Sequence, residues 1–280
     1  MLGSHTIEVA LMLRNSILIG SMLTNAEIWY HMQTSETDDL ERVDRQFFFK
    51  ILGTPRSIPP VALYLETGTM PLSMVIKVRR LMYLHRILRS DIKGMLYKFF
   101  VVQWHYPCQG DWTLQVRKDL EDLELPDNLE TLKLFSKAKF KKLVKDKASI
   151  YVFSQLIIKK EKYRKLVNLQ YSEFKVQDYI LNNNLSDEEK KMTFLMRTRM
   201  SKFNENFRSG KTETACPICL KHSDSQALLL ECPIIKKELE NRFGPSHLQT
   251  IENIYNENID EITVKTVKYA MDVREKKLIQ

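Results

Sequence analysis

"PLSMVIKVRRLMYLHRILRS" (residues 71–90) carries the pattern that decides the fold. Pro71 stands at a first-turn position, where its missing N–H leaves no bond unmade. The run behind it is amphipathic with the helical period. The same period recurs on both sides. "IEVALMLRNSILIGSMLTNAEIWYHM" (7–32) is apolar around most of its circumference, which predicts a long, heavily buried helix. Ser35 to Asp38 forms an S-x-x-D capping box before "DDLERVDRQFFFKILG", and Gly53 with Pro55 closes that helix. Residues 57–68 read as a short connector, and 91–104 as the next helix. Asp111 is the expected N-cap within 107–125. One or two helices follow to about residue 168, then a short one over 172–184. "SDEEKKMTFLMRTRMSKF" (186–203) opens on an S-x-x-E box. No alternating run is long enough for a strand, and no repeat of 20–50 residues is visible. The expectation is an all-α, multi-helix bundle.

Composition agrees. With 8 glycines and 9 prolines in 280 residues, few turns are available, which favours long helices. A chain of this length buries enough surface to fold without metal or disulfides. Four cysteines make no disulfide framework, and three of them cluster at metal-like spacing, so a reducing, intracellular compartment is expected, nucleus or cytoplasm. The N-terminus lacks a basic start, and Arg14 and Asn15 interrupt its apolar run, unlike a signal peptide. No uninterrupted apolar stretch of about 18 residues exists, so no membrane partner is expected. P-loop, dinucleotide-binding and G-x-S-x-G patterns are absent, and His85 and His105 sit in apolar or aromatic contexts that suit a core.

Net charge is +8, and it is concentrated. Residues 133–165 hold twelve Lys or Arg against two acids, an excess larger than that of the whole chain. Lys137, Lys139, Lys141, Lys142, Lys145, Lys159 and Lys160 are candidate phosphate contacts for RNA or DNA, bound without regard to sequence. Phe135, Phe140, Tyr151, Phe153 and Tyr163 interleave with them and offer base stacking, or else form the core face of a helix whose lysines are merely solvated. Lysines at 137, 139, 141 and 142 cannot share one helical face, so they coat a helix on several sides.

"ACPICLKHSDSQALLLECP" (215–233) carries Cys216 and Cys219 at C-x2-C spacing and Cys232 thirteen residues on. Zinc asks for four nitrogen or sulfur ligands. Ser223 to Gln226 is an S-x-x-Q box, which starts a helix near 224 and puts residue 228 one turn before Cys232. The fourth ligand belongs there, and the residue is Leu228. His222 is the nearest substitute. Three readings stay open: structural zinc on Cys216, Cys219, Cys232 and His222; a weaker three-cysteine site; or buried thiols with no metal.

"FLMRTRMSKFNENFR" (194–208) followed by that segment resembles the C-terminal region of reverse transcriptases from non-LTR (type-1) retrotransposable elements. In that family an arginine-rich helix precedes a CCHC zinc knuckle. Cys216, Cys219, Cys232 and Asp224-Ser225-Gln226 match it, and Leu228 stands where the family has its histidine. Residues 14–30, 40–53, 63–88 and 110–120 resemble the region after the polymerase palm, in the family's order. The resemblance implies a thumb-like region over 1–125, a basic connector over 126–205, a degenerate knuckle over 206–240 and a helical tail over 241–280. It adds Arg197 and Arg199 to the nucleic-acid contacts. It also implies no enzyme. The family's aromatic-x-D-D motif is missing, since Asp38-Asp39 follow Glu36 and Thr37 at a helix start, where acids suit the macrodipole. Nor does an endonuclease pattern follow Cys232, and Pro126-Asp127 reads as a helix start. The expected function is non-specific nucleic-acid binding by a non-catalytic polymerase fragment. The alternative is a decayed or co-opted relic that binds a protein partner or does nothing.

Overall fold

The computed structural model describes residues 7–30, 32, 34–203, 206, 215–244 and 251–279. Among them every extended element is helical, and the only β pairings are two isolated bridges, Thr67–Val176 and Ala215–Ser223. The all-α expectation holds. Contacts divide the chain into two units, each assembled from separate stretches. One takes the chain up to Leu11, Phe48–Gly68 and everything from Lys159. The other takes Met12–Phe47 and Thr69–Ile158. This division cuts across the expected boundaries at 125, 205 and 240.

The first elements are α1 (Ile7–Leu13), a π-helical turn (Arg14–Leu18) and α2 (Ile19–Met22). Asn25 then turns left-handed (φ 58°) before a short 3-10 turn at Ala26–Ile28. The single buried helix expected over 7–32 is therefore broken. Its outer side also stays exposed at Met12, Leu13 and Ile17. The reason is Arg14, whose guanidinium is fully buried in the π turn and donates two 2.6 Å hydrogen bonds to the Asp44 carboxylate. A charge so deeply placed needs its partner, and the partner fixes which side of the helix faces inward. Asp44 belongs to α3 (Thr34–Leu52), which Gly53 ends in a left-handed residue as expected.

In the unit that holds most of residues 12–158, α5 (Leu72–Leu88) is central. It packs against the Ala26–Ile28 turn, α6 (Met95–His105), α7 (Trp112–Asp122) and α8 (Leu129–Leu134). Leu72 and Ile76 close a cluster with Ile19, Leu23 and Ala26. Arg80 lies on the same buried side and is held by Asp119 at 2.7 Å. Asp111 takes the N-cap position of α7 as expected, but its carboxylate accepts from the Cys108 N–H at 2.7 Å and leaves the helix uncapped. On α6, Met95, Phe99 and Val102 lie four and three residues apart and are 58–73% exposed, an apolar stripe facing outward, and the C-cap residue Tyr106 is exposed beyond it. The helix α9 (Lys137–Glu161) buries every fourth residue from Phe140 through Val144, Ala148 and Val152 to Leu156, so a narrow seam anchors it and much of its remaining surface meets solvent.

In the other unit, α4 (Pro60–Thr67) is buried along nearly its whole length. Gly68 ends it at φ 57°, and a Cβ there would run into the backbone of Lys175 and Val176. That close approach, with the Thr67–Val176 bridge and the Gln177 N–H bonding to the Glu66 carbonyl at 3.0 Å, holds Val176 and Gln177 out of a helix. It explains why the helix expected over 172–184 shrinks to α10 (Asp178–Leu181). The helix α11 (Asp187–Arg197) opens on the expected box, with Ser186 and Glu189 capping each other. It packs on α13 (Glu261–Ile279) and on the Ile251–Tyr255 turn, and α13 also holds α12 (Pro233–Phe243).

Candidate functional site

Cys216, Cys219 and Cys232 come together with their sulfurs within 4.8 Å of one another. Among the described residues they are the only such group of three or more metal-ligand side chains. Local backbone builds the cluster. The Ala215–Ser223 bridge closes a tight loop, the Cys216 N–H bonds to the His222 carbonyl, and the Leu220 N–H bonds to the Cys216 carbonyl at 2.8 Å. Leu220 takes the left-handed conformation (φ 56°) that turns the chain back. Cys232 is delivered from the other side as the N-cap of α12, with Pro233 at its first position.

The helix expected near 224 is replaced by turns over 227–231 that end in one helical bond, Cys232 N–H to the Leu228 carbonyl at 3.2 Å. The reason lies in the preceding side chains, which are committed to the core. Asp224 accepts two bonds from Arg274 of α13 at 2.9 and 3.0 Å. Gln226 accepts from the Ser201 hydroxyl at 2.8 Å and donates to the Tyr255 hydroxyl at 2.6 Å. Ser225 caps the turn by accepting from the Leu228 N–H. The Asp-Ser-Gln stretch thus staples the loop to the fold and makes no metal ligand.

Three thiolates suit a metal. With metal–sulfur bonds near 2.3 Å, tetrahedral sulfurs stand ~3.8 Å apart, a small closure from the spacing here. Backbone N–H groups of Lys221 and His222 point at the Cys219 sulfur, and those of Ile235 and Ile234 at the Cys232 sulfur. Burial pushes both thiols up. At Cys219 the N–H donors and the two neighbouring thiols outweigh burial, and the pKa falls below the ordinary value. At Cys232 burial prevails and the pKa is pushed up to about 11. The fourth ligand does not fit the four-ligand reading. His222 is not one of the gathered group. It and Leu228 line the same small cavity as Cys216 and Cys232, so the position predicted for the missing ligand does face the site and is apolar.

The basic segment divides sharply. Lys137, Lys139, Lys141, Lys142, Lys145 and Lys159 are exposed, and none makes an ion pair among the described residues. Lys160 differs. It is half-buried and donates to the Leu169 carbonyl at 2.6 Å, and burial lowers its pKa. Its expected place among the free phosphate contacts falls away. The aromatics also sort themselves. Phe140 is fully buried, stacked on His85 with ring centres 4.6 Å apart, and Phe135 and Phe153 are half-buried. Tyr151 lies under the Lys77 ammonium, leaving Tyr163 the one exposed ring of the five. Charge, with little stacking, is what the segment offers.

Sequence reading missed the neighbours. Arg79, Arg86, Arg89 and Lys137 line a cleft of about 700 Å³ with Tyr83. The three arginines belong to one side and the end of α5, but only the fold brings Lys137 to them. Arg89 donates to the Phe135 carbonyl at 3.1 Å, Arg86 lies over Tyr83, and Glu27 is the single acid of the lining.

Arg197 is corrected. It is fully buried, and its Nε donates to both Glu66 oxygens at 2.9 Å. Its Nη1 donates to the Ile254 and Asn256 carbonyls. No phosphate can reach it. Arg199 is half-buried, left-handed (φ 52°), with its guanidinium over the Tyr255 ring. Tyr171 and Tyr179 complete the cluster by donating to Glu66 at 2.6 and 2.9 Å. Burial, reinforced by the Glu66 charge, raises both phenols well above the ordinary value. A folded pKa above the unfolded one gives stability that is complete below about pH 10 and lost as pH rises past it, at up to ~1.4 kcal/mol per pH unit for each tyrosine. Denaturant midpoints measured from about pH 9 to 11 should fall steeply above 10, and a level series would contradict the cluster.

Asp38 and Asp39 sit exposed in the second turn of α3, one turn later than the helix start expected for them, with Asp39 3.1 Å from Arg42. No helix among the described residues is long and apolar enough to cross a membrane. No protein-family model, curated protein or solved structure matches the chain.

Proposed function

We propose that this chain is a non-catalytic nucleic-acid-binding module that holds single-stranded RNA or DNA through its backbone. The observation that carries the reading is the group of exposed lysines around α9, Lys137 to Lys145, unpaired among the described residues, with Lys137 at the arginine-lined cleft beside α5. Lysine ammoniums that meet phosphates release condensed counterions, which gives affinity without sequence preference. The narrow buried seam of α9 keeps the helix in place while leaving several sides open to a strand. The sequence resemblance to the post-palm region of a non-LTR reverse transcriptase supports the same reading. On it the chain contributes grip to a polymerase whose metal-binding aspartates lie elsewhere, and the cysteine loop is a degenerate knuckle that a structural ion such as zinc would stiffen.

A gel shift with an unstructured RNA oligonucleotide tests it. Five phosphate contacts predict a loss of roughly 100-fold in affinity between about 50 and 200 mM salt. Binding that ignores salt, or no binding at low salt, would sink the proposal. The exposed apolar stripe of α6 favours a second reading, a co-opted helical module that docks on a protein. Absence of any RNA shift, together with self-association in sedimentation, would favour it.

A further inference from the structure

We propose that Cys216, Cys219 and Cys232 form a three-coordinate thiolate site for a soft monovalent ion, copper(I), in place of a four-ligand zinc site. The inference rests on the cysteine loop being a metal centre and is independent of RNA binding.

Three sulfurs converge, and Leu228 lines the cavity beside two of them. Structural zinc is almost always four-coordinate, and every missing ligand costs it affinity. Among the described residues no fourth histidine, cysteine or carboxylate atom joins the three sulfurs. Leu228 stands one turn before Cys232. Asp224, the nearest carboxylate in the cavity lining, is bound to Arg274 through both oxygens. His222 lines the cavity, but its ring nitrogens are not among the gathered ligand atoms. The cavity beside the cysteines has room of about 10 Å³, which is at most one water-sized sphere, and leucine carbons form part of its wall.

Copper(I) has a filled d shell and is content with three soft sulfurs, and thiolates select it. The four N–H groups aimed at the Cys219 and Cys232 sulfurs stabilise thiolate charge whichever ion is bound. Binding forms three copper–sulfur bonds and displaces the thiol protons to solvent, with no change of oxidation state.

The full chain, reduced and kept anaerobic, is titrated with copper(I) and separately with zinc against a competing chelator. The expected result is one copper per chain, with sulfur-only, three-coordinate geometry in X-ray absorption. Serine at any of the three cysteine positions should abolish it. Leu228→His should raise zinc affinity roughly 100-fold, as a restored ligand of a four-ligand site does. His222→Ala should leave copper stoichiometry unchanged, which keeps the test open if Leu228→His fails to fold. Zinc held by the parent as tightly as by Leu228→His, or a nitrogen in the parent's coordination shell, would overturn the proposal, as would failure to bind copper(I) at one equivalent. Copper binding without an RNA shift would remove the proposed function alone.

Discussion

Replacing Arg197 by methionine is expected to destabilise the unit that contains it by about 3–5 kcal/mol, the cost of leaving a buried charge without its partner. Glu66 is fully buried in α4, and its carboxylate receives Arg197 and the hydroxyls of Tyr171 and Tyr179. Without the guanidinium, two phenols would face a bare carboxylate out of water. The Ile254 and Asn256 carbonyls would lose their donor as well, and with it a tie between α11 and the turn at Ile251–Tyr255. Methionine keeps most of the volume, so a large effect would report charge and hydrogen bonding over cavity formation. Adding Glu66→Gln should recover part of the loss, because the amide needs no counter-charge. Denaturant unfolding of the parent and the two variants measures this. A loss below about 1 kcal/mol for Arg197→Met would show that the cluster is ornamental.

The same residue marks where sequence reading stopped. Arg197 lies in "FLMRTRM", and an arginine in a basic protein reads as exposed. Its burial follows from Glu66, 131 positions earlier, inside an apolar stretch that gives no hint of a partner. Arg14 gave a weak hint, since a charge in the middle of an apolar run must be paired or exposed, but the run alone could not say which. Local signals carried through better. The Ser186–Glu189 box, the left-handed Gly53 and the period of α5 involve residues within one or two turns, where spacing and geometry are the same thing. The cysteine loop fell between. The apolar Leu228 beside the site was legible from its turn spacing to Cys232. The helix expected around it was not formed, because Asp224 and Gln226 bond to α13, Ser201 and Tyr255, all distant in sequence. The cleft of Arg79, Arg86 and Arg89 with Lys137 was invisible for the same reason: α5 and α9 meet only in the fold.

Changing Lys137, Lys139, Lys141, Lys142 and Lys145 together to alanine should weaken RNA binding by about 100-fold at 50 mM salt while leaving the fold intact. All five are exposed and unpaired among the described residues, so no buried partner is orphaned. Alanine is the best helix former, and it keeps α9 helical. The seam of Phe140, Val144, Ala148, Val152 and Leu156 is untouched. Circular dichroism and thermal midpoint should match the parent. The single change Lys160→Ala, by contrast, should barely alter RNA affinity, because that ammonium is already held by the Leu169 carbonyl. Arg86→Ala and Arg89→Ala should each weaken binding by less than the five-lysine change, since each removes one cation from the cleft. Unchanged affinity in the five-lysine variant would mean that the strand lies elsewhere.

The most direct measurement is the dependence of RNA affinity on salt, taken in parallel on the parent and the five-lysine variant. For single strands the slope of log K against log salt is about −0.7 per phosphate neutralised, so the five lysines should give the parent a slope near −3.5, steepened by up to about −1 by the cleft arginines. The variant should fall to a slope near zero to −1 if the α9 lysines are the contacts. Two equal slopes, whatever the affinities, would contradict the assignment of nucleic-acid binding to this helix.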